Sequence, residues 1–577
     1  MSIFDMLRIK TNLHGRWEKY YSKEELNIHI PNVSMYNQVL ISSHKYPNNK
    51  AIEYLGINIT YKKLIKKIDA CAVSFKALGI KKGDIVTLCL PNIPEVLICL
   101  YALNKIGAIA NMTHPLSAEE EIKDTLNSTK SKILVMADMF YNKIENIINE
   151  TTTEKVIFVS PADSFNPVER TVYNILQKNK FKHHPKDDRY LSYKKFYRLS
   201  WFYDYDIKEK YGKNTPAVIL HSGGTTGKPK NVVIQNRAFI LGAKQESIAL
   251  KELVPGDCCL AIMPNFHGFG LSVCMHTPLA LGCYTILIPK FNAKKFDTLF
   301  KKTKPTCVLG VPTLFEALIH NKNEDNLDLS NLKYVISGGD VLPENLEMEI
   351  NDYLHEHGSL ANVTQGYGLS EVLAAVSLGV GRISKSGSIG IPLAGNYIKI
   401  INPSTRQELE PNQIGEIVIN SKALMLGYLN DEAETNAALQ IHDDGHIWLH
   451  TGDLGIMDEQ GFLYYKGRQK RMIISSGYNV YPSHIEEVIE SHYAVLQCSV
   501  VGIPHPYKQE VCKAFIVLKP GYHALLVSQD IKNYCASHLA HYMVPVEFVY
   551  RRQLPRTKLG KVDFQKLQSD LGEDDSE

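Results

Sequence analysis

Residues 216–230 read PAVILHSGGTTGKPK. The first part is a short apolar, β-branched run, the pattern of a buried strand. The second part sets Gly223, Gly224 and Gly227 around Thr225 and Thr226 and closes on Lys228, Pro229 and Lys230. Glycines let backbone N–H groups come close to an anion, hydroxyls add donors, and a lysine adds positive charge. The stretch therefore reads as a strand feeding a phosphate cradle. Ser222, Gly223, Gly224, Thr225, Thr226, Gly227 and Lys230 are its candidate phosphate ligands. A Walker loop is excluded, because its first glycine would fall on Ser222 and Lys228 is followed by Pro229.

Outward from this stretch the same punctuation recurs. CCLAIMP (258–264), YTILIP (284–289), TCVLGVP (306–312) and KYVISGG (333–339) are apolar runs that each end in Gly or Pro. Upstream, GDIVTLCLPN (83–92) precedes the apolar helical stretch IPEVLICLYALNKIGAIANM (93–112), with SKILVMAD and EKVIFVS after it. AIEYLGINITY (51–61) reads as a strand pair about Gly56. The alternation predicts an α/β fold with largely buried strands. Residues 161–212 are polar and aromatic and read as surface insertions. Near residue 470 the character changes. LYYKGRQKRMIISSGYNVYP (463–482) is basic and hinge-like, and the rest of the chain reads as a compact α+β unit of about 100 residues.

At 577 residues the chain is too long for one ordinary core. With 44% hydrophobic and 22% charged residues it has the balance of a globular protein, and a net charge of +3 lacks the basic excess of a nucleic-acid binder. No nucleic-acid partner is expected. The eleven cysteines have no C-x-x-C spacing, so they read as reduced core thiols. Residues 258–289 carry no Asp, Glu, Lys or Arg. Prolines, glycines and histidines interrupt that run, so strand, loop and helix are expected there rather than a membrane span. Met1–Lys10 holds Asp5, Arg8 and Lys10 with no apolar core, so no signal peptide is expected. The expected location is cytoplasmic, with peripheral membrane contact compatible and the oligomeric state left open.

Further motifs suit a nucleotide. QGYGLSE (365–371) offers an aromatic face at Tyr367, a hydroxyl at Ser370 and a carboxylate at Glu371 suited to Mg²⁺. TGDLG (451–455) supplies Asp453 for ribose hydroxyls. GRQK supplies Arg468 and Lys470, and PRTKLGK (555–561) places Lys561 in a glycine-containing loop.

Taken in order, HSGGTTGKPKNV, PNFHGFG, SGGD, QGYGLSE, TGD, GRQKRMIISSGYNVYP and PRTKLGK resemble the acyl-adenylate-forming superfamily of acyl-CoA synthetases, peptide-synthetase adenylation domains and firefly-type luciferases. The resemblance runs from about residue 35 to residue 567, and the GGTTG form is similar to that of bacterial long-chain fatty acyl-CoA synthetases. It implies a large multilayer N-terminal α/β domain (1–469) and a small mobile α+β C-terminal domain (470–577). It also implies two half-reactions: a carboxylate attacks the α-phosphate of ATP to give acyl-AMP and pyrophosphate, and the thiol of coenzyme A then takes the acyl group.

By position, the resemblance assigns the β- and γ-phosphates to Ser222–Lys230. Gly338, Gly339, Asp340, Gln365, Gly366, Tyr367 and Gly368 surround the adenine, and Ser370 approaches the α-phosphate. Glu371 and Thr226 hold Mg²⁺, Asp453 and Arg468 bind the ribose, and Lys470 is the hinge. Gly477 faces coenzyme A after the small domain rotates. Lys561, Glu371, Thr226 and His267 form the catalytic set, with His267 between acyl pocket and thiol tunnel. Four positions depart from the family's usual residues: Gly223, Asn231, Ser370 and His484. Asn231 and His484 bear on loop geometry and on docking of the small domain.

Pro264–Pro278 contains no acid to hold a substrate amine, so an amino acid is disfavoured. The expected wall of Phe266, Phe269, Gly270, Val311, Gly338 and Gly366 suits a medium- or long-chain fatty acid. Two alternatives stand: loading of a carrier-protein phosphopantetheine, and an aryl-acid CoA ligase.

Overall fold

The computed structural model describes residues 13–165, 170–171, 187–205, 207, 211–222, 229–292, 295–319, 327–379, 383–475, 478–505, 507–557 and 561–569. Among these, the larger part of the chain builds two big sheets and a smaller one. The nine-stranded sheet runs Ile391–Pro392, Ala375–Leu378, Val363–Gly368, Tyr334–Gly338, Cys307–Gly310, Cys258–Ala261, Tyr284–Leu287, Lys50–Tyr54, Ile57–Thr60. Its central strands pair in parallel, as apolar runs joined by helices must. The eight-stranded sheet centres on Ile85–Cys89, Ile109–Met112 and Pro216–Ser222, with Lys230–Gln235 returning antiparallel to Pro216–Ser222.

The helix Pro94–Lys105 shows how the layers are cemented. It is apolar on every side, and Pro94 through Asn104 are all buried, which is what such a helix requires. The expected strand pair is Lys50–Tyr54 with Ile57–Thr60, antiparallel about Leu55 and Gly56. The uncharged run resolves into the strand Cys258–Ala261, a π-helical stretch Phe269–His276, the helix Thr277–Leu281 and the strand Tyr284–Leu287. Among the described residues no helix is long and apolar enough to cross a membrane. All eleven cysteines are buried free thiols.

One expectation is corrected. Part of 161–212 belongs to the core and not to surface insertions. Tyr190–Ser192 extends the eight-stranded sheet, and the next helix, Tyr193–Arg198, buries Tyr193 and Phe196, with Phe196 against Phe75 at 4.7 Å. The lysines around these two aromatics hid their helical i, i+3 spacing.

Next comes a five-stranded sheet of Tyr397–Ile401, Gly415–Asn420, Leu439–Ile441, Ile447–Met457 and Leu463–Arg468. The turn Gln469–Arg471 separates it from the last sheet, which begins at Ile473–Ser475. That sheet centres on the long antiparallel pair Val495–His505 and Gln509–Leu518, with Glu547–Tyr550 parallel to the latter. Helices Pro482–Glu490 and Ala524–His538 cover it, and their Ile485, Ile489 and Ile531 enter a core of its own. The chain is thus a large N-terminal α/β part and a smaller C-terminal α+β part.

Candidate active site

The strand Pro216–Ser222 and the strand Lys230–Gln235 form a hairpin in which Ser222 stands opposite Lys230. In the sequence, the phosphate-cradle stretch runs between these two strands. Gly223, Gly224, Thr225, Thr226 and Gly227 lie outside the described residues, as does Gly477. At the root of the hairpin His221 Nε2 meets Asn111 Oδ1 at 2.8 Å, and Asn231 Nδ2 donates to Ser128 Oγ at 3.2 Å. Asn231 therefore serves the hairpin's base. Burial pushes the His221 imidazole down to about 4.

Lys230 pairs with Glu434 and lies 4.7 Å from the Tyr428 ring centre. The Tyr428 hydroxyl donates to Glu371 Oε1 at 2.9 Å. Glu371 sits on the short helical turn Ser370–Val372, pinned by Met425 N donating to its carbonyl at 2.7 Å. With one carboxylate oxygen taken by Tyr428, the other remains for a hard cation. Among the described residues no group of three His, Cys, Asp or Glu could hold a metal ion. A lone carboxylate fits Mg²⁺, which uses one or two carboxylates together with substrate phosphates.

Asp453 is 1% exposed and is the electrostatic centre of the site. It lies on the strand Ile447–Met457 directly opposite Arg468 of Leu463–Arg468. Arg468 Nε approaches Oδ1 at 2.9 Å, and the Tyr367 hydroxyl donates to Oδ2 at 2.7 Å. The Arg468 contact pairs charge without a well-aligned hydrogen bond, so Oδ1 can still accept one. Burial raises the Asp453 carboxyl; Arg468, the Tyr367 hydroxyl and Lys561 oppose that rise. Thr451 Oγ1 accepts from Asp453 N at 3.0 Å and donates to Ile417 O at 2.6 Å, which fixes the strand at this point.

Lys561 comes from the C-terminal part into this field. Thr557 N donates to its carbonyl at 2.7 Å, next to the Arg556–Val562 bridge. Burial lowers the Lys561 ammonium, with Arg468 adding to that shift and Asp340 and Asp453 opposing it. His267 is half-buried, its Nδ1 out of solvent and without a protein partner, and desolvation pushes its imidazole down to about 4, helped by the Lys561 charge. His267 is therefore neutral near pH 7.

Glycines bring the loops together. A Cβ on Gly268 would stand 1.6 Å from Leu373 O, and one on Gly368 would stand 1.7 Å from Ala374 O. Both are excluded: Gly268 lets the PNFHGFG loop lie against Leu373, just past the QGYGLSE turn, and Gly368 lets that turn close on Ala374. Gly338 and Gly366 face each other in register, and a Cβ on Gly338 would lie 3.5 Å from the Phe269 ring. Gly339 adopts φ +80° at the strand end, next to Asp340. A Cβ on Gly366 would meet Leu378 Cδ1 at 3.1 Å. Gly270 is not a pocket wall: its Cβ would strike Pro264 O at 2.1 Å, so it packs the turn itself. Gln365 Nε2 donates to Glu347 Oε2 at 3.1 Å, which commits that side chain to the helix Glu344–Glu356.

Lys470 is exposed on the turn Gln469–Arg471 between the third and fourth sheets. Beside it, Ser483 Oγ donates to Lys466 O at 2.6 Å, and Arg471 pairs with Glu486 at 2.7 Å. His484 is exposed.

Sequence reading thus brought forward Tyr367, Glu371, Asp453, Arg468, His267 and Lys561, and the fold gathers them. It missed Tyr428, Thr451 and Tyr465, whose ring lies 6.3 Å from that of Tyr367. Thr451 and Tyr465 sat inside stretches already singled out. Tyr428 had no local signal.

The family model described as AMP-binding enzyme matches residues 41–429, and AMP-binding enzyme C-terminal domain matches residues 484–561. The long-chain-fatty-acid–CoA ligase of Bacillus subtilis is 30% identical, over 93% of this chain and 94% of that protein. The 4-coumarate–CoA ligase 3 of Arabidopsis thaliana is 27% identical, over 86% of this chain and 83% of that protein. Among solved structures, the anthranilate CoA ligase AuaEII with anthranoyl-AMP superposes with a TM-score of 0.81 at 22% identity, covering 94% of this chain and 98% of that one. The fatty acyl CoA synthetase of Mycobacterium tuberculosis gives 0.67 at 25% identity, covering 93% and 98%.

Proposed function

The chain belongs to the AMP-binding enzyme family, and from that premise we propose that it activates a carboxylic acid with ATP and passes the acyl group to the thiol of coenzyme A. The acid is a medium- or long-chain fatty acid. In the first step a carboxylate oxygen attacks the α-phosphorus, the new P–O bond forms, and the bond to pyrophosphate breaks. In the second the thiol sulfur attacks the acyl carbon, its proton passes to solvent, and AMP leaves.

The observation that carries this reading is the charge interaction of Lys561 with Asp340, Asp453 and Arg468, beside the Tyr367–Asp453 hydrogen bond. A displacement at phosphorus needs positioning and charge stabilisation more than acid–base chemistry. Lys561 supplies a positive charge in a half-buried, partly desolvated setting, where it acts more strongly than in water. Asp453 keeps an acceptor for ribose hydroxyls, and Tyr367 offers its ring to the base. Ser370 and the residues from Ser222 to Lys230 hold the phosphates, with Lys230 leaving Glu434 to do so. Glu371 with Thr226 would hold Mg²⁺, which when bound neutralises phosphate charge. His267, neutral, borders the path of the thiol. Residues 1–469 act as the nucleotide and acyl domain, 470–577 as the mobile domain, and Lys470 as the hinge between them. Gly477 faces coenzyme A once that domain turns.

In this reading Phe269 and Val311, with the register-paired Gly338 and Gly366, line the acyl site; Phe269 and Leu378 stand against the two glycines and would shift to admit an extended apolar chain. The absence of an acid between Pro264 and Pro278 favours an apolar substrate over an amino acid. The expected location is cytoplasmic, with peripheral contact at a membrane.

Pyrophosphate release over acetate, octanoate, palmitate, benzoate and phenylalanine tests the substrate. Each buried methylene contributes about 0.8 kcal/mol. The specificity constant should climb from acetate to octanoate and on toward palmitate. A flat series, or a preference for benzoate or phenylalanine, would overturn the fatty-acid reading. Coenzyme A should serve as acceptor where a carrier-protein phosphopantetheine does not.

A further inference from the structure

Trp201, Phe202, Tyr203 and Tyr205 stand on the surface within five residues, 66%, 79%, 47% and 39% exposed. Single exposed aromatics are ordinary, but a contiguous run marks an interaction surface. The run is held in place. Phe202 N and Tyr203 N both donate to Leu199 O, at 3.0 and 3.2 Å, and the Tyr203 and Tyr205 rings stack at 6.0 Å. The preceding helix, Tyr193–Arg198, is anchored by Phe196 in the core and by Ser74 Oγ donating to Tyr197 O at 3.2 Å. Its outward side carries Lys194, Lys195 and Arg198, and the Arg198 guanidinium lies 5.3 Å from the Trp201 ring centre. Between residues 193 and 213 six Lys or Arg face three Asp or Glu, a local excess equal to that of the whole chain.

Tryptophan and tyrosine favour the headgroup level of a bilayer, and adjacent cations are drawn to anionic headgroups. We propose that this surface docks the protein on an anionic phospholipid bilayer, with Trp201 and Phe202 entering the acyl boundary and Lys194, Lys195 and Arg198 on the phosphates. The inference rests on the reading of peripheral membrane contact and names the face that makes it. The cations lie on the helix before the aromatics, with Asp204 between the two tyrosines, so Trp201 and Phe202, next to Arg198, are the residues set to lie beneath charged headgroups.

The full chain is mixed with phosphatidylcholine vesicles with and without phosphatidylglycerol. Sedimentation and tryptophan emission are recorded. Trp17 and Trp448 are 4% and 2% exposed, so an emission shift reports Trp201. Phosphatidylglycerol vesicles should carry the protein down and shift the emission to the blue, while pure phosphatidylcholine should do so weakly. The Trp201→Ser/Phe202→Ser double variant should lower the partition coefficient about tenfold, with octanoate-dependent pyrophosphate release in vesicle-free buffer unchanged. Wild-type binding that the double variant retains, with no emission shift, would assign the membrane contact to another face. No binding to either vesicle would overturn the membrane reading as well. Capture of a protein by this run without vesicle binding would also overturn the proposal.

Discussion

Tyr428 donates its phenolic hydrogen to Glu371 Oε1 at 2.9 Å, from a strand 57 residues further along the chain. The same ring underlies Lys230. One tyrosine therefore links the candidate metal carboxylate to the candidate phosphate lysine. Partners of this kind orient a ligand more than they touch substrate.

Tyr428→Phe should leave Glu371 free to rotate. The Mg²⁺ concentration giving half-maximal adenylation should rise on the order of tenfold, while the maximal rate at saturating Mg²⁺ changes little. Titrating Mg²⁺ at fixed ATP reads this directly. An unchanged Mg²⁺ response would remove Glu371 from the metal site.

Lys561→Ala should lower acyl-AMP formation by about 10²–10³, while thioester formation from supplied acyl-AMP is largely spared. Burial lowers the Lys561 ammonium below its ordinary 10.5, so its charge is lost on the alkaline side earlier than for a free lysine. Adenylation should therefore fall along an alkaline limb, and Lys561→Arg should move that limb upward. Equal loss of both half-reactions in the alanine variant would refute the division of labour.

Much of this site could be read from the sequence because its pieces are local motifs. A glycine loop after a strand, an aromatic and a carboxylate in one turn, and a lysine in a tight loop each carry their chemistry within a few residues. The apolar helix Pro94–Lys105 was legible for the same reason. Partners set by long-range pairing escaped. Tyr428 reaches Glu371 through an edge strand of two residues, Gly427–Tyr428, that no periodicity reveals. Glu347 holds Gln365 through the packing of a helix on a sheet. Phe196 lay among lysines that masked its buried face, and Gly270 was a packing residue taken for open space.

Lys470→Pro should slow overall turnover while sparing one half-reaction. Lys470 lies in the three-residue turn Gln469–Arg471 between two sheets, and proline fixes φ there. Rotation would be restricted to one orientation. Single-turnover measurement of each half-reaction checks this; normal rates in both would put the hinge elsewhere.

Stability should peak below neutrality. Burial raises Glu246 and Glu490 to about 8, Glu95 to about 7 and Asp138 to about 6. Such groups stabilise the fold below their unfolded values near 4, and that contribution is lost as pH rises through the folded values. Burial lowers His221 and His267 to about 4 and His276 to about 3. Their contribution is present above 6.5 and is lost as pH falls toward the folded values. Above pH 6.5 only the carboxylates still act, so the melting temperature should decline from there to pH 8. Glu246→Gln should flatten that decline and match wild type near pH 5. A variant with the wild-type pH profile would contradict the assignment.

The central claim is that an acyl-adenylate forms before any thiol is involved. Palmitate-dependent exchange of labelled pyrophosphate into ATP, measured without coenzyme A, tests it most directly. Exchange should require palmitate, fall about 10²–10³ in Lys561→Ala, and give way to AMP and palmitoyl-CoA when coenzyme A is added. Release of ADP and phosphate, or exchange that needs coenzyme A, would contradict the account.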